Sequence, residues 1–217
     1  MKGIFATFEG IEGCGKTTQA KLLLKELKAK NYEVLFTREP GGPRISEKIR
    51  DILLNKEFTE MNRLTEIFLY MASRSQHTME WIIPALKKGK IVICDRYYDS
   101  TYAYQGAARE ISFENIDYIN KIATNELKPD ITFVFDLPAE IGLARVKKIV
   151  ESSKGFDRLE NENIQFHQKV REGFLELAKS EKYRIKVLNG QDEIEVIHYK
   201  VVNYISQILK KILKIKK

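Results

Sequence analysis

The sequence predicts a three-layer α/β/α fold, with helices on both faces of a five-stranded parallel sheet. Three observations carry this. Five short apolar runs recur along the 217 residues, and each is followed by a stretch with helical spacing of apolar residues. The runs are apolar nearly throughout rather than alternating, as strands buried on both faces must be. A glycine-rich turn stands between the first run and the first helix, where α/β units carry their ligand loops.

The elements follow in order. "GIFATF" (3–8) is the first strand and ends at the glycine turn. "TTQAKLLLKELKAK" (17–30) is a helix, and "YEVLFTR" (32–38) is the second strand. "SEKIRDILLN" (46–55) is a helix with Ile49, Ile52 and Leu53 on one face. Residues 63–89 form a long helical region, with a bend expected near Ser73–Gln76. "KIVICD" (90–95) is a buried strand ending in a carboxylate. "FENIDYINKIATNEL" (113–127) is a helix and "DITFVFDLP" (130–138) a strand. Helices at 139–150 and 163–181 flank a polar segment without apolar periodicity, 151–162, which reads as a mobile loop. "YRIKVLNG" (183–190) is the last strand, and a helix over most of 193–213 closes the chain. No internal repeat or Pro/Gly/Ser-rich linker divides it, so residues 1–217 read as one domain.

Composition narrows the function. With 43% hydrophobic residues the chain buries a sizeable core, and its net charge of +7 favours an anionic ligand. The charge alone does not choose between nucleotide, nucleic acid and membrane surface. Cys14 and Cys94 form no CxxC pair, which argues against zinc and against a disulfide framework. No stretch approaches the ~20 apolar residues that span a bilayer. The opening "MKGIFATFEG" is interrupted by glycine too early for a signal peptide, so a cytoplasmic protein is expected.

"FEGIEGCGKTTQ" (8–19) is the most specific stretch. Gly10, Gly15, Lys16 and Thr17 satisfy G-x-x-x-x-G-K-[ST], the phosphate loop or P-loop. Its glycines let successive amides turn inward around an anion, and the helix that follows adds its N-terminal dipole. Lys16 then reaches the β- and γ-phosphates, and the Thr17 hydroxyl is a ligand for Mg²⁺. The loop residues Gly10, Glu12, Gly13, Cys14, Gly15, Lys16, Thr17 and Thr18 are therefore the expected site for ATP. "NKIA" (120–123) lacks the aspartate of a guanine motif, and the length suits a small kinase better than a motor.

Over most of its length the chain resembles the thymidylate kinase family. The stretches that carry the resemblance are "EGIEGCGKTTQ" (9–19), "TREPGG" (37–42), "FLYMASRSQH" (68–77), "DRYYDSTYAYQG" (95–106) and "DLPAEIGLAR" (136–145). It implies transfer of the γ-phosphoryl of ATP to dTMP, giving dTDP for dTTP synthesis, and a homodimer with no nucleic-acid or membrane partner.

The resemblance also implies roles. Arg38 contacts the phosphoryl region between the nucleotides, and Pro40 lines the acceptor pocket. Asp95, at a strand end beside the loop, holds Mg²⁺ or its water shell, and Arg96 offers a planar fork to the dTMP phosphate. Phe68 stacks on thymine and Arg74 hydrogen-bonds its exocyclic oxygen. Thr101, Tyr104 and Gln105 read the base edge and crowd the sugar. Glu12 accepts from the 3′-hydroxyl of the acceptor, and Arg145 stacks on adenine near the Asn189–Gly190 turn. Family members take a further cation from the P-loop or from a lid; this P-loop has no basic residue before Lys16, so the resemblance implies a lid, at approximately 146–160, that adds cations. Arg158 and then Lys147 are expected to complete the transition state, with Lys148 and Lys154 as further candidates. The bland alternatives are an Arg38 surface ion pair, a Phe68 in the core, and solvated lid lysines. A kinase for another monophosphate such as dUMP or dGMP, or a nucleic-acid-bound ATPase using the basic C-terminal helix, remain the competing functions. Glu9 has no functional expectation.

Overall fold

A computed structural model describes residues 3–150 and 157–214. Five strands, β1 (Ile4–Glu9), β2 (Val34–Arg38), β3 (Ile91–Asp95), β4 (Ile131–Asp136) and β5 (Ile185–Asn189), form one sheet in the order β2-β3-β1-β4-β5. All neighbouring pairs are parallel. Phe8 pairs with Asp95 and Arg38 pairs with the same residue, so the carboxyl ends of β1, β2 and β3 finish level. Ligands of open parallel sheets bind at that edge.

The strand residues explain the layers. Ile4, Ala6 and Phe8 of β1 join Ile91 and Ile93 of β3 in one core, with Phe133 and Phe135 of β4. The intervening Phe5, Val92 and Cys94 enter a second core with Ile82, Ala85 and Tyr97. Burial on both faces is what the near-continuous apolar runs demand. The helices are α1 (Lys16–Ala29), α2 (Arg44–Leu54), α3 (Arg63–His77), α4 (Ile83–Lys87), α5 (Tyr98–Thr101), α6 (Phe113–Thr124), α7 (Ala139–Val150), α8 (Ile164–Ser180) and α9 (Ile194–Lys214). α1 packs on α9 and on β1, β2 and β3, α8 packs on β4 and β5, and α4 on β3. In α9, Ile197, Val201 and Ile205 turn to the core, with Ile208 and Leu209 beside them, so its apolar stripe is structural through that point.

Two local features differ from the sequence expectation. The long region is interrupted by a π-helical turn, Thr78–Ile82, while 73–76, where a bend is expected, lie within α3. Pro84 stands just beyond it and lacks the N–H that would bond to the preceding turn, so the wider turn absorbs the break. Residues 98–108, unassigned by periodicity, are helical: α5 continues into a π-helical stretch, Tyr102–Ala108. Of the expected lid, 151–156 lie outside the described residues, and Lys154 with them.

Candidate active site

The phosphate loop runs from the end of β1 to α1. Gly13 has φ +70, and a Cβ there would fall 2.3 Å from the carbonyl oxygen of Gly142 on α7, so only glycine fits. Gly15 is the N-cap of α1, and no side chain caps the helix, leaving its first amides to bind an anion. Lys16 is buried to 9% exposure and donates from Nζ to the Ile11 carbonyl at 3.1 Å. Glu12, Gly13, Cys14, Gly15, Lys16, Thr17 and Thr18 line a cleft of about 880 Å³, and Gly10 stands behind that wall. Cys14 and Cys94 are both buried and free, and burial pushes both thiols upward.

The end of β3 meets this loop. The Thr17 hydroxyl donates to Asp95 Oδ2, while Asp95 Oδ1 is buried without a partner. Arg96 adopts a left-handed backbone with φ +69. Its guanidinium donates to the Gly10 carbonyl and to Glu12 Oε1, both at 2.8 Å, and lies 5.0 Å from the centroid of the Tyr104 ring. Tyr104 donates its hydroxyl to the same Glu12 oxygen. Burial works against a charged Glu12, yet Arg96, His167 and Lys16 together hold its carboxyl below the usual carboxylate range. The Arg96 turn rests on Glu9, fully buried, which accepts from Tyr97 N at 2.7 Å and Ser100 Oγ at 2.6 Å. Burial, with the Asp99 charge, pushes Glu9 up to about 8.

At the far end of the cleft Arg74 is 2% exposed. It donates to Glu39 Oε2 (2.8 Å), Thr101 Oγ1 (2.6 Å), Asn120 Oδ1 (2.8 Å) and the Tyr97 carbonyl (3.1 Å). Glu39 in turn meets His77 Nδ1 at 3.0 Å, and His77 Nε2 stands 2.7 Å from Thr37 Oγ1. These bonds fix the guanidinium but leave Nη2 a second N–H, a donor that can face a ligand. Pro40, Thr101, Tyr104 and Gln105 share this wall.

Several expectations need correction. Phe68 is 61% exposed and does not line the cleft. It stands about 200° around α3 from Tyr70. Tyr70 is buried and lines the cleft, four residues before Arg74, and is the aromatic the sequence reading missed. Arg158 does not face the cleft either: Nη2 lies 2.6 Å from Glu66 and Nε donates to the Leu53 carbonyl at 2.9 Å. Lys147 is exposed away from the lining, whereas Lys148 reaches it. Arg38 is on the cleft wall but pairs with Glu47 at 2.9 Å. Arg50, also missed, lines the cleft and donates to the Pro40 carbonyl at 2.7 Å. Arg145 bridges the Gly13 and Gly190 carbonyls, each at 3.3 Å, joining the phosphate loop to the turn after β5.

One continuous cleft thus joins an anion-binding loop to a second wall whose polar groups are fixed in advance. Lys16, Arg38 and Arg96 all border it, and a P-loop sharing one cleft with a second polar wall is the form of a P-loop nucleoside monophosphate kinase, a phosphotransferase. The comparisons with known proteins agree. The family model described as thymidylate kinase matches residues 8–201. A thymidylate kinase of Pelobacter propionicus is 46% identical over 207 residues, 94% of each chain. One of Caldanaerobacter subterraneus subsp. tengcongensis is 46% identical over 210 residues, 97% of this chain and 98% of that one. The crystal structure of thymidylate kinase from Ehrlichia chaffeensis superposes with a TM-score of 0.75 at 33% identity, covering 94% of this chain and 99% of that one. The chain belongs to the thymidylate kinase family.

Proposed function

We propose that this chain transfers the γ-phosphoryl group of ATP to dTMP, giving dTDP and ADP on the way to dTTP. The observation that carries the reading is the single cleft lined at once by Lys16 and Thr17, by Arg96, and by Arg74 and Gln105. ATP lies with its phosphates on the loop and the first amides of α1, its base beside Arg145 and Gly190. dTMP lies with its base against Tyr70, Arg74 and Gln105, its sugar beside Glu12 and Tyr104, and its phosphate toward Arg96, Arg38 and Arg50. A phosphate oxygen of dTMP attacks the γ-phosphorus as the bond to the β,γ-bridging oxygen breaks, and ADP takes the electron pair. The attacking phosphate is already anionic at neutral pH, so the protein supplies alignment and positive charge rather than a base.

Lys16 supplies that charge from within the loop. Arg38 can leave Glu47 cheaply, because an exposed pair is worth only ~0–1 kcal/mol. Among the described lid residues, Lys148 is the cation that borders the cleft. The oxygen-only pair of Thr17 and Asp95, with a buried unpartnered Oδ1, fits Mg²⁺, which prefers few carboxylates and retained waters. When bound, Mg²⁺ would neutralise charge on the donor phosphates.

Exposed apolar side chains on packed neighbours support a homodimer. These are Ile45 and Ile52 on α2, Leu64 and Phe68 on α3, and Tyr118 and Ile122 on α6. No helix among the described residues is long and apolar enough to cross a membrane, and the free thiols suit a reducing cytoplasm.

The test is a coupled ADP-release assay across nucleoside monophosphates. dTMP should give the highest kcat/KM, with dUMP lower by only one methyl's worth, ~1–3 kcal/mol. ATP hydrolysis that needs no acceptor, with salt-sensitive DNA binding, would favour the nucleic-acid ATPase instead.

A further inference from the structure

Glu66 lies on α3 with 1% exposure, outside every role assigned so far. Its Oε1 accepts from Gln105 Nε2 at 2.9 Å and from Arg109 Nε at 3.3 Å. Its Oε2 accepts from Arg109 Nη2 at 3.3 Å and faces Arg158 Nη2 at 2.6 Å. Arg109 also holds Glu162 at 2.6 Å. One buried carboxylate therefore gathers groups from α3, from the π-helical stretch after α5 and from the far end of the lid.

An ionised carboxylate only accepts hydrogen bonds, whereas a glutamine amide can offer either edge. Facing Glu66, Gln105 must turn its NH₂ toward the carboxylate, and Oε1 becomes the atom left for the cleft that Gln105 lines. Burial opposes the charge on Glu66, but Arg109, Gln105 and Arg158 hold its carboxyl below the usual range, so it stays an acceptor across neutral pH.

We propose that Glu66 is a specificity-determining, positioning residue: by locking the Gln105 amide it presents an acceptor to the acceptor base, and so selects pyrimidines that carry a hydrogen on N3. Thymine and uracil have that hydrogen. Cytosine has a lone pair at N3, and two facing acceptors repel. Arg158, paired with the other oxygen, ties the lid's root to the same device. The inference rests on Gln105 facing the base, as in the function proposed above.

The experiment compares kcat/KM for dTMP and dCMP in the wild type, Glu66→Gln and Gln105→Leu. A glutamine at 66 can donate as well as accept, which frees the Gln105 amide to turn over. The ratio for dTMP over dCMP should fall about 10-fold in Glu66→Gln, the scale of one hydrogen bond. A merely structural role would lower both activities together and leave the ratio unmoved. Glu66→Gln leaves two arginines short of charge and could fail to fold. The double variant Glu66→Leu/Arg158→Met removes both members of the buried pair, while Arg109 retains Glu162. It should show the same fall. A ratio kept within about twofold in the folded variant, while Gln105→Leu loses dTMP activity, overturns the role of Glu66 alone. Unchanged dTMP activity in Gln105→Leu overturns the base reading as well.

Discussion

Arg96 Nη2 stands 2.8 Å from Glu12 Oε1, so the residue that follows β3 and the middle of the phosphate loop are held as one unit. Both side chains are largely buried, at 16% and 11% exposure. The glutamate among the loop's glycines is thus not set against a phosphate. It turns to the Arg96 guanidinium and the Tyr104 hydroxyl.

Glu12→Gln keeps the shape and removes the charge. We expect KM for dTMP to rise 10-fold or more while KM for ATP moves less than about twofold, because the loop amides are untouched. Initial-rate kinetics with each substrate varied would check this. The lowered carboxyl also fixes a sign. Its contribution to stability is complete above the ordinary value of 4.5 and is lost as pH falls through the lower folded value, so Glu12→Gln should flatten the acid limb of the stability profile.

Glu9 carries the opposite sign. With its folded value raised from 4.5 to about 8, its contribution is complete below 4.5 and is lost as pH rises through 8. Glu9→Gln keeps an acceptor for Tyr97 N and a polar partner for Ser100 but cannot ionise. Between pH 5 and 9 the wild type should lose a few kcal/mol relative to this variant, measured by urea unfolding at each pH.

Arg74→Met would leave Glu39 charged and buried at 3% exposure without its arginine. Breaking a buried pair from one side costs about 3–5 kcal/mol. We expect a large fall in Tm by calorimetry, with dTMP binding lost even well below the new Tm.

Gly142 sits on α7, outside the phosphate-loop motif, yet a Cβ there would lie 2.5 Å from the Glu12 carbonyl oxygen. Gly142→Ala must therefore push the loop or α7 aside. A loss of at least 10-fold in ATP affinity is expected, read by isothermal titration, together with a lower Tm.

Much of this was legible in the chain. The phosphate loop is contiguous, so its spacing alone gives its geometry, and the apolar runs give the strands to within a residue or two. What needed packing was less legible. Phe68 and Tyr70 are both aromatic on one helix, and only the side of α3 that faces the cleft separates them. The one available signal was the four-residue step from Tyr70 to Arg74, which puts both on the same face. Arg158 is a cation in a segment of mixed charge, and nothing in sequence reveals that Glu66, far earlier in the chain, already holds it. Residues 98–108 have no apolar period because their tyrosines serve pocket and core together, and part of their turn is π-helical.

The central claim is that two nucleotides meet end to end in this one cleft. A bisubstrate analogue, adenosine joined to thymidine through a polyphosphate chain, tests it most directly by competition binding. The account predicts one equivalent bound far more tightly than either nucleotide alone, displacing ATP and dTMP together, and weakened by both Lys16→Ala and Arg74→Lys. An analogue that bound no more tightly than ATP and left dTMP in place would contradict it.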